Sequence, residues 1–355
     1  MRKRRLYKLA GITPAVFFLL LFSTTVLATD APQALLAQAD TKIAAKDYQG
    51  AITLLDQIVV SYPQSAESAV AGFKKGDCLT GQGKRLEALD AYRWVIANHP
   101  ESPVAPDATR GIAYTYLGLG NRAEAAKAFE ALMEKYPESP HVPVAHLRIG
   151  MIYLGDSRTD IQNRKTLREK ALASFAQALS SSKGNADVEG EAALQILGMR
   201  FEGAIEGKED WSVIESALDN FEQDHPNASE KAKATVQLMK AERAMAQKDF
   251  VGAQEIVKDF GATYAGLRTE SAWAALLLGY AYHQQNMYQQ AIDTFDDLVS
   301  KYTDKDNFAG NNVRAMAVYA KIKCLEKLGN RESAESARTF LKQTWPSSVF
   351  ATESD

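Results

Sequence analysis

The sequence has 355 residues, of which 46% are hydrophobic and 24% are charged. This composition excludes a disordered or fibrous chain and is typical of a folded protein. The net charge is −3 at pH 7, and taking away the five positive charges of residues 1–28 leaves −8, which argues against nucleic acid as a partner because phosphate binding requires a basic surface.

Residues 1–28 predict an export signal. Basic residues at positions 2–5 lead into an uncharged apolar run over residues 15–27, and Ala28 supplies a small residue for cleavage. The run is shorter than the roughly twenty residues that a membrane span needs, which favours a cleaved signal; an uncleaved anchor over residues 11–28 stays open. With either outcome the positive end stays in the cytoplasm. We therefore expect an exported, periplasmic chain that touches the membrane only through this segment if it is uncleaved.

The rest of the chain repeats one pattern at a spacing of 37 to 46 residues. Each copy has an alanine position, then apolar residues at intervals of three and four, then a closing aromatic residue or histidine, which is often followed by proline. The alanine positions are Ala51, Ala88, Ala125, Ala171, Ile214 (the one exception), Ala253, Ala291 and Ala334. The closing positions are Tyr62, His99, Tyr136, His225, Tyr264, Tyr302 and Trp345. The intervals predict an amphipathic helix that ends at each closing position.

A second helix is predicted upstream of each alanine position. Five residues before that position lies a turn residue that tolerates left-handed backbone, namely Gly83, Gly120, Asn286 or Gly329. Further upstream, Leu-Gly-x-x-aromatic recurs at Leu197–Phe201 and Leu278–Tyr282, with the variant Ile149–Tyr153. We expect the glycine of this motif to let two helices approach closely, so that each repeat is a helix-turn-helix unit.

The Leu-Gly-x-x-aromatic, Ala and Pro series resembles the tetratricopeptide-repeat family over roughly residues 32–346. The resemblance implies an all-α fold, an α-solenoid of about eight helix-turn-helix repeats. A polar stretch at Asp156–Thr166 predicts an inserted loop, and Ser180–Gly190 predicts a linker. This linker would separate residues 29–182, with repeats one to four, from residues 183–355, with repeats five to eight.

The Tyr-Pro-x-Ser-Pro junctions and the export signal together resemble an envelope branch of that family, which includes BamD and CpoB. This sequence has no cysteine after the apolar run, where BamD carries its lipid anchor, and it lacks the N-terminal coiled coil of CpoB. Only the class is therefore carried over. It implies a non-enzymatic scaffold that binds protein or peptide partners of the envelope in a concave groove.

The resemblance places the first helix of each repeat along that groove. The candidate partner-binding residues are Arg110, Tyr114, Leu147, Met151, Trp273, Leu276, Tyr280, His283 and Tyr319. Apolar and aromatic side chains in an extended groove are suited to a partner helix or an extended peptide. Some of these positions could instead pack between neighbouring helices.

Motifs for catalysis are absent from the sequence. It contains no phosphate loop, no Gly-x-Ser-x-Gly and no His-Glu-x-x-His, so we expect no catalytic residue, cofactor or metal. His99 and His225 occupy closing positions, which favours a structural role. Cys78 and Cys324 each lie ten residues before an alanine position. They are therefore predicted to be free thiols in equivalent buried sites.

Two other functions stay open. The chain could be the helical superstructure or an accessory subunit of a cell-wall (peptidoglycan) enzyme or of the outer-membrane assembly machinery, although the repeats leave no room for a catalytic domain in this sequence. It could also be a membrane-tethered assembly factor, which depends on whether residues 1–28 persist in the mature protein.

Overall fold

The computed structural model describes residues 31–182, 184–308 and 310–353, with the backbone alone at Val213. The predicted export signal, residues 1–28, lies outside the described residues. Helix α1 covers residues 31–44. The helices that follow are α2 (Tyr48–Ser61), α3 (Ala66–Gly81), α4 (Arg85–Asn98), α5 (Ala105–Gly118), α6 (Arg122–Lys135), α7 (Val142–Thr159), α8 (Arg164–Ser181), α9 (Ala186–Ile205), α10 (Trp211–Asp224), α11 (Glu230–Ala246), α12 (Phe250–Val257), α13 (Phe260–Thr263), α14 (Arg268–Gln284), α15 (Tyr288–Lys301), α16 (Val313–Lys327), α17 (Arg331–Thr344) and α18 (Val349–Thr352).

The all-α prediction is confirmed, because the only β-type pairing within the described residues is an isolated bridge between Phe308 and Asn311. The helices form eight helix-turn-helix pairs in this part of the chain, with α12 and α13 together serving as one second helix. The first helices of the pairs are α1, α3, α5, α7, α9, α11, α14 and α16. The short α18 packs on α16 and α17 after the last pair.

The residues at the alanine positions are buried. All eight, including Ile214, have an exposed fraction of 1% or less. In α14 the glycine of the Leu-Gly motif lies at a close contact, since a Cβ atom on Gly279 would lie 2.2 Å from the ring of Phe295. In α9 the expectation of a close approach is wrong: a Cβ atom on Gly198 would meet nothing within 4 Å.

The ends of the helices follow the predicted pattern. All seven closing residues cap the C-terminus of a helix, and each donates its backbone N–H to the carbonyl four residues earlier. The predicted turn residues have positive φ, from 60° at Asn286 to 77° at Gly83. Lys46 and Lys248 take the same left-handed conformation at the equivalent place in their repeats, with φ of 59° and 65°.

Two predicted loops are shorter than the sequence indicated. Helix α7 continues to Thr159 and α8 begins at Arg164, so most of the stretch Asp156–Thr166 is helical. Likewise α8 ends at Ser181 and α9 begins at Ala186, where Asn185 caps its N-terminus. Polar residues on an exposed helical turn resemble loop residues in composition, which is why both predictions were too long.

The chain packs into two compact units, unit 1 ending at Ser174 and unit 2 beginning at Phe175. The predicted domain boundary between residues 182 and 183 stays a prediction. Within unit 1, α3 contacts α5; within unit 2, α11 contacts α9 and α14, and α14 contacts α16. In these four cases, the first helices of successive repeats lie side by side.

The two cysteines are free and buried, with exposed fractions of 1% for Cys78 and 0% for Cys324. Burial raises the pKa of each thiol from 9.0 to about 11. Within the described residues, no helix combines the length and apolar character of a membrane span.

Candidate functional site

The side of the first helices that carries the predicted groove residues is called the first-helix face. In unit 1 it is formed by α5 and α7. Arg148 donates its Nε–H to the hydroxyl of Tyr114 at 3.1 Å, and its guanidinium lies 5.7 Å from the centre of that ring. The ring of Tyr114 meets Phe129 edge-on at 5.6 Å, and the Arg148 Nη1 atom lies 3.3 Å from the Sδ atom of Met151. This part of the face thus combines a cation with an aromatic ring and a flexible thioether.

A cluster of charged and polar residues lies beside this part of the face, at the N-terminal part of α5. Arg110 pairs with Asp107 at 3.2 Å, and Asp107 also contacts the Nε2 atom of His141 at 2.8 Å. Among the described residues, the buried Nε atom of Arg110 has no hydrogen-bond partner. In α3, Asp77 accepts a hydrogen bond from the hydroxyl of Tyr92 at 2.7 Å, and desolvation raises the pKa of its carboxyl.

The first-helix face of unit 2 contains a carboxylate held by an indole. Trp273 of α14 donates its Nε1–H to Oε1 of Glu242 on α11 at 2.6 Å. The indole stacks on the ring of Phe308, with 5.0 Å between ring centres and 17° between ring planes. Burial raises the pKa of Glu242, and the hydrogen bond from Trp273 offsets part of this rise.

Phe308 lies in the connection between α15 and α16, which is anchored by an ion pair. Arg268, the first residue of α14, donates from Nε and Nη2 to the two carboxylate oxygens of Asp306 at 3.2 and 3.1 Å. The backbone N–H of Thr303 donates to the same carboxylate at 2.8 Å. These donors hold the pKa of Asp306 below its ordinary value. The connection is therefore fixed near the stacked rings.

Further along unit 2, the face is lined by half-buried aromatic rings. Tyr280 meets Phe295 edge-on at 5.9 Å, and burial raises its pKa to about 12. Tyr319 lies between the ammonium group of Lys323, 5.0 Å from its ring, and the ring of Phe350 at 5.5 Å. The result is a surface of half-buried aromatic rings on α14 and α16.

Comparisons with known families agree with this architecture. One tetratricopeptide-repeat model matches residues 73–156, and a second matches residues 33–65 and 273–304. The matches support the tetratricopeptide-repeat family. The matched segments lie in pairs one to four and in pair seven.

Three solved structures show likeness at low identity. A tetratricopeptide repeat protein from Parabacteroides merdae is 12% identical with a TM-score of 0.40, covering 92% of this chain and 97% of its own. PilW, described as a widely conserved type IV pilus biogenesis factor, is 17% identical with a TM-score of 0.47, covering 70% and 97%. The Cut9–Hcn1 hetero-tetramer of the APC/C is 14% identical with a TM-score of 0.49, covering 90% and 54%. A search of curated proteins finds no match.

Two of the nine predicted groove residues are core residues of their repeats. Leu147 has an exposed fraction of 5%, and Leu276 of 0%, so the prediction that they lie on an open surface is wrong. Leu276 belongs to the cluster around Phe295, because its side of α14 faces the neighbouring helices. The other seven are half-buried; they are Arg110, Tyr114, Met151, Trp273, Tyr280, His283 and Tyr319. Binding of a partner by these seven stays a prediction.

Sequence reasoning missed Glu242 and Phe308. A signal for Glu242 exists, since it lies eleven residues before Ala253, as Tyr280 lies eleven before Ala291. The same repeat position therefore belongs to the first-helix face in both repeats. Phe308 has no such signal, because it lies in a connection outside the repeated pattern. Within the described residues, no group of three or more His, Cys, Asp or Glu is arranged to hold a metal.

Proposed function

We propose that this chain is a non-enzymatic scaffold of the bacterial cell envelope that binds protein or peptide partners on its first-helix faces. Tetratricopeptide folds generally bind proteins, and the helix pairs here fit that role. The observation that supports it most is the set of half-buried aromatic and charged side chains on α5, α7, α11, α14 and α16. Aromatic residues and arginine are the side chains that dominate binding energy at protein interfaces.

The envelope location rests on residues 1–28. Their basic start and apolar run fit an export signal, and the proposal places the chain beside the exported branch that includes BamD and CpoB. Cell fractionation with intact-mass measurement tests this part. A periplasmic chain that begins after Ala28 supports a cleaved signal, a membrane-bound chain that keeps residues 1–28 supports an anchor, and an intact chain in the cytoplasm contradicts export.

Affinity capture from envelope extracts tests the binding face. We expect the wild-type chain to retain a partner that a Met151→Ala and His283→Ala double variant retains at least several-fold less. The matched control carries Lys127→Ala and Gln289→Ala, two exposed positions on the second helices α6 and α15. It should capture as the wild type does. Equal capture by all three chains would contradict the proposed face, after thermal melts have shown that each variant is folded.

The identity of the retained protein decides between related functions. A cell-wall hydrolase or synthase would make this chain an accessory subunit of that enzyme. An outer-membrane protein under assembly would make it part of an assembly pathway. Capture of neither protein nor peptide would contradict the scaffold proposal.

A further inference from the structure

The half-buried carboxylate of Glu242 differs from the buried carboxylates of Glu270 and Asp306 in having no cation beside it among the described residues. Glu270, with an exposed fraction of 5%, lies 3.4 Å from the ammonium group of Lys231. Asp306, with 8%, is paired with Arg268. Within the described residues, Glu242 forms no ion pair, and its hydrogen-bond partner is the neutral indole of Trp273.

This arrangement is costly for the isolated chain. A desolvated carboxylate needs either a cation or several hydrogen bonds to compensate for the lost water. The electrostatics around Glu242 contain burial and one indole hydrogen bond, and no neighbouring charge shifts its pKa. Basic side chains close in sequence do not supply the cation, since Arg243 of the same helix pairs with Asp219 at 3.3 Å.

The surroundings of Glu242 would suit the aliphatic part of a basic side chain. Glu242 is half-buried and so keeps part of its surface open to solvent, and the stacked rings of Trp273 and Phe308 are half-buried beside it. Lysine and arginine carry an apolar stem below a charged head, and aromatic rings attract both the stem and the charge. A carboxylate beside an aromatic pair therefore offers a partner for each part of such a side chain.

We infer that Glu242, with Trp273 and Phe308, is the recognition point for a lysine or arginine side chain of the partner segment that binds unit 2. The inference rests on the proposed function and names the chemistry of the partner. Charge complementarity supports the inference, because the site has a negative charge and no cation beside it among the described residues. Removal of residues 1–28 leaves a chain of net charge −8, which would attract basic segments over a longer range.

The test is a selection of random dodecapeptides by messenger-RNA display on the chain purified from the envelope. We expect the enriched peptides to share a lysine or arginine next to an apolar residue. Replacing that basic residue by norleucine, which keeps the aliphatic stem and removes the charge, should weaken binding roughly tenfold or more.

The variant Glu242→Gln separates recognition from folding. An amide oxygen still accepts the hydrogen bond from Trp273, so we expect the variant to fold and to melt no lower than the wild type. It should bind the basic peptides roughly tenfold more weakly or worse, and the norleucine change should then have little further effect, as a double-mutant cycle requires of a direct contact. The control Glu230→Gln, at an exposed position of α11, should bind as the wild type does.

The outcomes distinguish this inference from the proposed function. Enriched peptides that lack a basic residue, or that bind Glu242→Gln as tightly as the wild type, would overturn the inference and leave the scaffold proposal standing. Failure to enrich any peptide on the wild-type chain would count against both. A Glu242→Gln chain that melts well below the wild type would show that the carboxylate stabilises the folded chain. That outcome would also overturn the inference.

Discussion

At the scale of single residues, the packing of the helices depends on whether a Cβ atom fits at a given glycine. Gly279 and Gly198 occupy the same position of the same Leu-Gly motif, yet their surroundings differ. The Cβ position of Gly279 is occupied by the ring of Phe295, which is fully buried. The Cβ position of Gly198 is empty. The motif thus marks a close helix contact in α14, whereas in α9 a side chain would fit at the glycine position.

Alanine substitution of the two glycines should change stability in opposite directions. Gly279→Ala overpacks the contact with Phe295 and should lower the free energy of unfolding by about 1–3 kcal/mol. Gly198→Ala adds helix propensity without a clash and should raise it by about 0.5–1 kcal/mol. Chemical denaturation of both variants checks this, and shifts of the same sign would contradict the packing described for α14 and α9.

The partly desolvated carboxylate of Glu242 makes stability depend on pH. Because its pKa is raised in the folded chain, the folded state holds the proton to higher pH than the unfolded state. The contribution of this group to the free energy of unfolding therefore falls as pH rises from below 4.5 through the raised pKa. Glu242→Gln should melt higher than the wild type at pH 7, with a difference that shrinks below pH 4.5.

The matched control for that experiment is Glu130→Gln on α6, where the side chain is exposed. Its effect should stay within about 0.5 kcal/mol at either pH. A Glu242→Gln variant that is less stable than the wild type at pH 7, or equally stable at all pH values, would contradict the desolvation described for this group.

At the scale of the helices, six turns within the pairs share positive φ at the same position, whether glycine, asparagine or lysine supplies it. Gly83 and Gly329 have positive φ at the place where Lys46 and Lys248 also have it. A side chain in left-handed backbone costs roughly 1–2 kcal/mol, a cost that glycine avoids. The two lysines are therefore kept in this conformation by the helices on either side of the turn.

Lys248→Gly should stabilise the chain by about 0.5–1 kcal/mol, since the relief of strain exceeds the entropy that glycine adds to the unfolded state. The reciprocal change, Gly329→Ala, should destabilise by about 1 kcal/mol. Urea denaturation of each variant measures the two effects. If Lys248→Gly proves destabilising, the side chain of Lys248 has a stabilising role that its backbone conformation does not show.

These elements also show what the sequence can and cannot predict. The alanine and closing positions are predictable because the alanine position recurs eight times and the closing position seven times, and this repetition separates the pattern from chance. The turns at Lys46 and Lys248 are not predictable from residue type, because lysine has no preference for positive φ. The repeat position of Glu242 is predictable, but its hydrogen bond with Trp273 is not, and Phe308 lies outside the repeated pattern. Both contacts with Trp273 are defined only in the folded chain.

At the scale of the whole molecule, the proposed function assigns stability and binding to different sides of the same helices. One side of each first helix closes the core of its unit, as Leu276 and Leu147 do. Another side carries half-buried rings and charges, such as Tyr114, Trp273 and Tyr280. The sequence identifies the helices and their order, but it does not separate these sides where both are apolar. A repeat fold makes that separation matter, since the same residue types build the core and the proposed binding face.

Site-specific photo-crosslinking in living bacteria tests the central claim, that partners bind the first-helix faces, most directly. The photoreactive residue p-benzoylphenylalanine would be placed at Met151 or His283 on those faces, and at Lys127 or Gln289 on the exposed second helices. We predict ultraviolet-dependent adducts with the captured partner from the first pair of positions and none from the second. Adducts from Lys127 or Gln289 alone, with none from Met151 or His283, would contradict the claim.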